Sequence, residues 1–169
     1  MTNIEVRREG SGIVADWGFG SRRCAVGRGG IGEKRHEGDG VTPAGLWPLR
    51  RVLFRPDRVA LPRLSFPIVP IAHDDGWCDA PDDKRYNQQV TLPYPANAEK
   101  LWRDDALYDL VVVVGFNDTP VMPGKGSAIF IHIAYPDYAP TEGCVALARD
   151  GLLEALERLS PASLLHIRG

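Results

Sequence analysis

The sequence has little cysteine and no paired cysteine motif. Its 169 residues contain three cysteines, Cys24, Cys78 and Cys144, at wide spacing and without a Cys-x-x-Cys pair. An odd number leaves at least one thiol free, and this spacing is not that of a zinc site or a redox dithiol. We therefore expect no bound metal, whereas a disulfide between Cys24 and Cys78 stays open at this stage.

The sequence also lacks an excess of charge of one sign and any long apolar run. Its formal net charge is −2, from 20 Lys and Arg against 22 Asp and Glu. Such a balance gives no overall field to hold nucleic acid, which is therefore not an expected partner. Residues 1–23 contain no apolar core of a secretory signal, and no segment is long enough for a membrane helix. The expectation is a soluble, uncleaved chain without a transmembrane segment.

Proline and glycine are plentiful, with 14 and 18 copies that divide the chain into short segments. Many of the apolar residues in these segments are β-branched or aromatic, which is typical of an all-β protein. The run LYDLVVVVGF is apolar at successive positions and predicts a central strand covered on both faces. We expect one mainly-β domain over residues 1–169. Strands are predicted near Ile4–Arg7, Gly12–Asp16, Arg23–Val26, Leu46–Phe54, Gln89–Leu92, Leu107–Gly115, Ala128–Ala134 and Ser163–Ile167.

One helix is predicted, in the segment RDGLLEALERLS near the C-terminus. Its leucines fall on one stripe, Asp150 is the expected N-cap, and Pro161 follows the end. The preceding GCVAL is expected to be a short connection between a loop and this helix. The segments Pro81–Asn87 and Pro93–Asp105 are expected to be loops, with a helical turn near Ala98–Trp102.

A histidine and a cysteine near the C-terminus form the most informative pattern, in AIFIHIAYPDYAPTEGCVAL. On a strand, His132 points away from Ile131 and Ile133, and the loop that follows can return Cys144 to it. A cysteine attacks as its thiolate, which a nearby imidazole or converging backbone N–H groups favour. Gly143 allows close backbone approach, as an oxyanion site requires.

The alternative for each residue taken alone is structural. An isolated buried histidine is usually a core residue held by one hydrogen bond, and a lone cysteine is usually a small hydrophobe or a redox sensor. The joint pattern of His132, Gly143 and Cys144 favours a catalytic interpretation.

These residues resemble the L,D-transpeptidase catalytic domain family of YkuD type. The family signature is a strand His, a loop, and Ser/Thr-x-Gly-Cys before a small apolar residue, matched by His132 and by TEGCV, residues 141–145. The glycine-rich TPxG motif is matched within GDGVTPAGLWPL, and GWCDAPDDKRYNQQV and VVVVGFN resemble one branch of the family. The resemblance covers the chain from about Gly27 onward. It implies a β-sandwich with a short helix after the catalytic cysteine.

The resemblance also implies a reaction. Cys144 would be acylated by a peptidoglycan stem peptide, with His132 as general base and the backbone amides of Gly143 and Cys144 holding the oxyanion. A backbone carbonyl would orient the other ring nitrogen of His132, and no metal or organic cofactor is implied. The acyl group would pass to a second stem amine, giving a 3→3 cross-link, or to a D-amino acid in an exchange.

The sequence departs from the family pattern at two positions. Many members have His before the glycine and Arg two residues after the cysteine, where this chain has Glu142 and Ala146. The missing Arg leaves the acceptor open. Glu142 is expected to face outward toward an amine, because a carboxylate facing the thiol would raise the pKa of the thiol. The candidate substrate-binding residues are Thr141, Glu142, Lys34, Arg35 and Asn117, with Arg149 as a further source of charge. A solvated loop is the alternative for Lys34 and Arg35, and a turn is the simpler role for Asn117.

Two other functions stay open on the sequence. Water could take the acyl group, giving an L,D-carboxypeptidase or a cross-link amidohydrolase, or the domain could be an inactive peptidoglycan-binding module. The resemblance implies the cell envelope or periplasm, while the missing signal segment leaves the cytoplasm open. The oligomeric state is not predicted.

Overall fold

The protein is described by a computed structural model that covers residues 2–169. It is mainly β, with one helix just after Cys144, which confirms the expected fold class. The elements are β1 (Ile4–Glu9), β2 (Gly12–Asp16), β3 (Ser21–Ala25), β4 (Ile31–Gly32), β5 (Thr42–Pro43), β6 (Gly45–Phe54), β7 (Ile68–Pro70), β8 (Asp75–Cys78), β9 (Gln89–Thr91), β10 (Ala98–Lys100), β11 (Leu110–Val114), β12 (Phe130–Ile133), β13 (Val145–Leu147), α1 (Arg149–Arg158) and β14 (Leu164–Ile167).

The long strand β6 joins two halves of a nine-stranded sheet. One half contains β14 and β1 to β3, and the other contains β11 to β13. The first residues of β6, from Gly45 to Pro48, pair with β14, and its later residues, from Leu49 to Phe54, pair with β11. The order through the sheet is β11-β12-β13-β3-β2-β1-β14-β6-β7, and the additional β11–β6 pairing brings the two halves together. The chain can therefore bury one side of each half against the other.

The main core lies between these two halves. Side chains of β1 to β3 meet those of β11 to β13 and of α1 in one buried cluster, which includes Val6, Val112, Ile131 and Leu156. Alternate positions of β11 to β13 face this cluster, since successive strand residues point to opposite faces. The sandwich arrangement follows from this shared core.

A second core covers the outer face of β11 and β12. It contains Leu53, Trp77, Val111 and Phe130, and Trp77 comes from a separate three-stranded sheet, β10-β8-β9. Every residue of β11 is buried as a result. The prediction of a central strand covered on both faces is confirmed.

Three local predictions are wrong. Val145–Leu147 is a strand parallel to β12, not a connection, because three small apolar residues carry no alternation that would reveal a strand. Ala98–Lys100 is a strand and not a helical turn, because it pairs with β8, and such tertiary pairing overrides local propensity. Ala148 is the N-cap of α1 and makes no side-chain capping bond, while Asp150 lies in the first turn.

The three cysteines are free and buried. Cys24 lies in the main core, and Cys78 lies at the end of β8, so the disulfide left open by the sequence is absent from this structure. None of the helices formed by residues 2–169 has the length and apolar character needed to cross a membrane.

Candidate active site

His132 lies on a rigid part of the second half of the sheet. It is in the middle of β12, between Val111 of β11 and Ala146 of β13. Phe130, two positions away and therefore on the same face, belongs to the second core. His132 thus faces away from the main core, as the sequence predicted.

Cys144 lies on the same face of the sheet as His132. Cys144 comes just before β13 and packs in the second core with Phe130, on the face to which His132 points. The sulfur accepts the backbone N–H of Phe130 at 3.4 Å and donates to the carbonyl oxygen of Ala128 at 3.2 Å. The loop between β12 and β13 therefore returns the thiol to the histidine strand, as predicted.

Both side chains line one cavity of about 480 Å³, a size that fits a small-molecule or peptide substrate. Thr141, Glu142 and Gly143 of the preceding loop form part of its wall. Cys144 has only 8% of its surface exposed and His132 only 4%. A substrate in the cavity would therefore meet both groups away from bulk water.

The ring of His132 is held in one tautomer. Its Nδ1 lies 2.9 Å from the carbonyl oxygen of Ile133, and because a carbonyl only accepts, Nδ1 carries the proton. The lone pair of Nε2 is then left to accept a proton. Tyr108 packs edge-on against the ring, with centroids 5.3 Å apart. This is the backbone-carbonyl orientation that the family resemblance implied.

Burial keeps both groups neutral. It lowers the pKa of His132 from 6.5 to about 4. Burial, with a further contribution from the carboxylate of Glu99, raises the pKa of the Cys144 thiol from 9.0 to about 12. The resting site therefore holds a thiol and a neutral imidazole at pH 7, and the thiolate forms only as the proton moves.

We expect the pH dependence of alkylation to report this neutral pair. Because the thiol pKa is raised, the rate of Cys144 alkylation by iodoacetamide should keep rising from about pH 7 to about pH 10. A preformed thiolate–imidazolium pair would instead give a plateau below neutral pH. Peptide mass spectrometry of Cys144 measures the rate, and a plateau below pH 8 would contradict the expectation.

The backbone amides of residues 141–144, called the nucleophile loop after the role expected of Cys144, differ from the family expectation. Gly143 has φ of +141°, and a Cβ there would lie 3.0 Å from the carbonyl oxygen of Val41, so the position requires glycine. The N–H of Gly143 donates to Thr141 Oγ1 at 3.1 Å, and that hydroxyl donates to the carbonyl oxygen of Cys144 at 2.6 Å. The Gly143 amide is thus engaged within the loop, whereas the Cys144 N–H meets no acceptor among residues 2–169.

Lys34 lies beside the nucleophile loop and is already paired. Its Nζ donates to Asp39 at 2.6 Å, and its side chain is 2% exposed. Burial alone would raise the pKa of Asp39, but hydrogen bonds from Lys34 and from the N–H groups of Val41 and Arg35 hold that pKa well below its usual range. A Cβ on Gly143 would lie 3.7 Å from Nζ. Lys34 therefore brings a positive charge near the loop and has Asp39 as its counter-ion.

Two other predicted binding residues lie outside the cavity. Arg35 is exposed and pairs with Glu33. Asn117, at φ of 49°, uses its side chain to bind the backbone of Met122 and Gly126, so it organises a turn. The prediction that these two residues contact substrate has no support from their positions. Arg149 pairs instead with Asp109.

Glu142 faces outward, as the sequence predicted. Its side chain is 78% exposed and lies 2.9 Å from the guanidinium of Arg28. Arg28 was not among the predicted residues, because it lies 114 positions away in sequence and carries no motif of its own. Glu142 also belongs to the cavity lining, so this exposed ion pair lies at one side of the cavity.

Several polar lining residues were also absent from the sequence prediction. Arg103 and Tyr108 line the cavity together with three acidic side chains, Glu37, Asp79 and Glu99. Tyr108 donates to Glu99 at 2.5 Å, and burial raises the pKa of Glu99. These residues come from separate loops and strands, so no sequence spacing groups them.

The described residues offer no metal site. Within residues 2–169, no group of three or more His, Cys, Asp or Glu side chains is placed to hold an ion.

A family model described as the L,D-transpeptidase catalytic domain (YkuD) matches residues 6–167. No curated protein and no solved structure gives a significant match.

Proposed function

The chain belongs to the L,D-transpeptidase catalytic domain family, and we propose that it is a cysteine acyltransferase of peptidoglycan stem peptides. Its donor would be a tetrapeptide stem, cleaved at the L,D bond before the terminal D-alanine. The acceptor would be an amine, from a second stem or from a D-amino acid. This substrate would place the enzyme's action in the cell envelope.

The shared cavity of Cys144 and His132 is the observation that carries this proposal. A nucleophile, a base with a free Nε2 lone pair and an unengaged backbone N–H meet at one buried surface. Acyl transfer through a covalent intermediate needs these three groups. An inactive binding module has no requirement for them.

In the first step Cys144 would become a thioester. The thiol turns from Ala128 toward His132, whose Nε2 takes the proton as sulfur attacks the carbonyl carbon of the third stem residue. A C–S bond forms and the C–N bond to the terminal residue breaks. The imidazolium returns its proton to the leaving amine, and D-alanine departs.

In the second step an amine would attack the thioester. The new C–N bond forms as the C–S bond breaks, and the proton released by the amine passes through His132 to the sulfur. Glu37 and Asp79 line the cavity, and their carboxylates accept hydrogen bonds from Ser127 at 2.8 Å and from Asn97 at 2.6 Å. They give an approaching ammonium group a favourable environment. This polarity favours an amine as acceptor.

Position 146 is alanine and not the arginine of many members, and this difference supports hydrolysis as an alternative function. Ala146 lines the cavity, where many members carry a cation that could bind a stem carboxylate. Arg103 also lines the cavity, but it pairs with Asp105 at 2.6 Å. An acceptor held less firmly would let water compete for the thioester, giving an L,D-carboxypeptidase or cross-link amidohydrolase.

Product analysis tests the proposal. The protein is incubated with a disaccharide-tetrapeptide and an excess of a different D-amino acid, beside Cys144→Ala, and both products and intact protein are followed by mass spectrometry. Exchanged stem or cross-linked dimer, with an adduct on Cys144, is the expected result. Tripeptide alone would move the assignment to a hydrolase. Neither product nor adduct would contradict the proposed substrate.

A further inference from the structure

Thr42 is a fully buried hydroxyl that links two distant segments next to the nucleophile. It lies in β5, within the glycine-rich TPxG motif, and has 0% of its surface exposed. Its Oγ1 accepts the backbone N–H of Gly27 at 2.8 Å and donates to the carbonyl oxygen of Gly143 at 2.9 Å. Thr42 and Gly143 are 101 positions apart in sequence. The hydroxyl therefore links the nucleophile loop to β5 and to the backbone at Gly27.

This bond fixes the peptide between Gly143 and Cys144. In a trans peptide the C=O and the following N–H point in opposite directions. The carbonyl oxygen of Gly143 is held against buried Thr42, so the N–H of Cys144 points the opposite way, away from Thr42. Cys144 itself lines the cavity. Its N–H is therefore available to an oxygen held near the sulfur.

The neighbouring amide cannot take this role without rearrangement. The N–H of Gly143 already donates to Thr141 Oγ1. Gly143 also has no side chain to restrict its peptide, and its positive φ is a conformation open to glycine. The orientation of the Cys144 N–H then depends on the hydrogen bond from Thr42.

We propose that Thr42 is a positioning residue for the oxyanion site. Its hydroxyl holds the Gly143 carbonyl so that the Cys144 N–H stabilises negative charge on the acyl oxygen during attack. The inference rests on the proposed function only in that Cys144 is the acylated residue. It needs no particular acyl donor.

The matched variants are Thr42→Val, which keeps the shape and removes the hydroxyl, and Thr42→Ser, which keeps the hydroxyl. Acylation is measured with p-nitrophenyl acetate, from which sulfur displaces p-nitrophenolate as the C–S bond forms and the thiol proton passes through His132 to solvent. Alkylation by iodoacetamide is the control reaction, because it develops no oxyanion. Signal from Cys144→Ala is subtracted, and thermal unfolding checks the fold of each variant.

Thr42→Val should lower the acylation rate by about tenfold or more, up to the roughly 10²–10³-fold loss that follows removal of an oxyanion donor itself. Its alkylation rate should equal that of the parent protein, and Thr42→Ser should acylate at close to the parent rate. If Thr42→Val does not fold, Thr42→Ala, which avoids placing a methyl group against two polar atoms, carries the same comparison.

Four results would overturn the inference. Thr42→Val or Thr42→Ala could acylate at the parent rate, Thr42→Ser could lose as much rate as the variant without a hydroxyl, or acylation and alkylation could fall by the same factor. A parent protein that is alkylated at Cys144 and never acylated by the ester would also overturn it. A protein that shows the expected ester results and leaves the tetrapeptide untouched would contradict the proposed substrate and support the role of Thr42.

Discussion

Replacing Cys144 by alanine is expected to abolish acylation. The side chain lines the same cavity as His132, and no other cysteine lies in that lining, so no thiol remains in the cavity to form the thioester. Loss of a nucleophile lowers turnover by more than about 10⁴-fold in well-studied acyl transfer enzymes. Intact-protein mass spectrometry after incubation with tetrapeptide should show no adduct, and chromatography should show no released D-alanine.

The other two cysteines provide matched controls for this variant. Cys24 and Cys78 are buried and free, like Cys144, but neither lines the cavity. Burial raises the pKa of Cys24 to about 12, so its thiol resembles Cys144 in acidity and differs in position. Cys24→Ala and Cys78→Ala should each retain the adduct. An adduct on Cys144→Ala, or its loss from either control, would contradict the assignment of the nucleophile.

Much of the fold, and the placement of His132 and Cys144 in one cavity, could be predicted because their signals are local. The β-branched runs and the turn residues mark most of the long strands, and His132 and Cys144 lie within one stretch of about twenty residues. The outward orientation of Glu142 also followed from local reasoning, since a carboxylate facing the thiol would oppose its ionisation. The structure agrees, with Glu142 paired to Arg28 at the surface.

The rest of the site depends on contacts between distant segments. Glu99 lies in β10, which pairs with β8, and Tyr108 belongs to the second core, and both line the cavity together with Arg103. Local propensity gave the segment of Glu99 a helical turn, so the sequence could not place that side chain. The strand β13 was missed for a similar reason, since three residues become a strand only by pairing with β12 and β3.

Charge was the least predictable property of the candidate site. Lys34 and Arg35 are adjacent in sequence, and both were candidates for binding substrate carboxylates, with a solvated loop as the alternative. The structure separates them, because Lys34 is buried against Asp39 and Arg35 is exposed beside Glu33. Adjacent residues in a loop need not share a direction, and only burial distinguishes a cation near the nucleophile from one at the surface.

Replacing His132 by alanine should lower the rate of acylation by about two or more decades, the usual contribution of a general base. The reason is the bond from Nδ1 to the Ile133 carbonyl, which leaves Nε2 as the acceptor for the thiol proton. His132→Gln, which keeps a polar side chain of similar reach and has no titratable nitrogen, should show the same loss. Alkylation of Cys144 at alkaline pH should change little in either variant, because solvent then removes the proton.

The pH profile provides the sharper test of His132. Burial lowers the pKa of the imidazole to about 4, so the ring is neutral and able to accept a proton throughout the range above that value. As pH falls toward 4, protonation removes the base, and acylation by the parent protein should decline there and not near 6.5, where an exposed histidine titrates. The residual rate of His132→Gln should lack this acid limb. An acid limb centred near pH 6.5 in the parent protein, or an unchanged limb in His132→Gln, would show that another group controls the step. Glu99, whose pKa burial raises, would then be the next residue to replace.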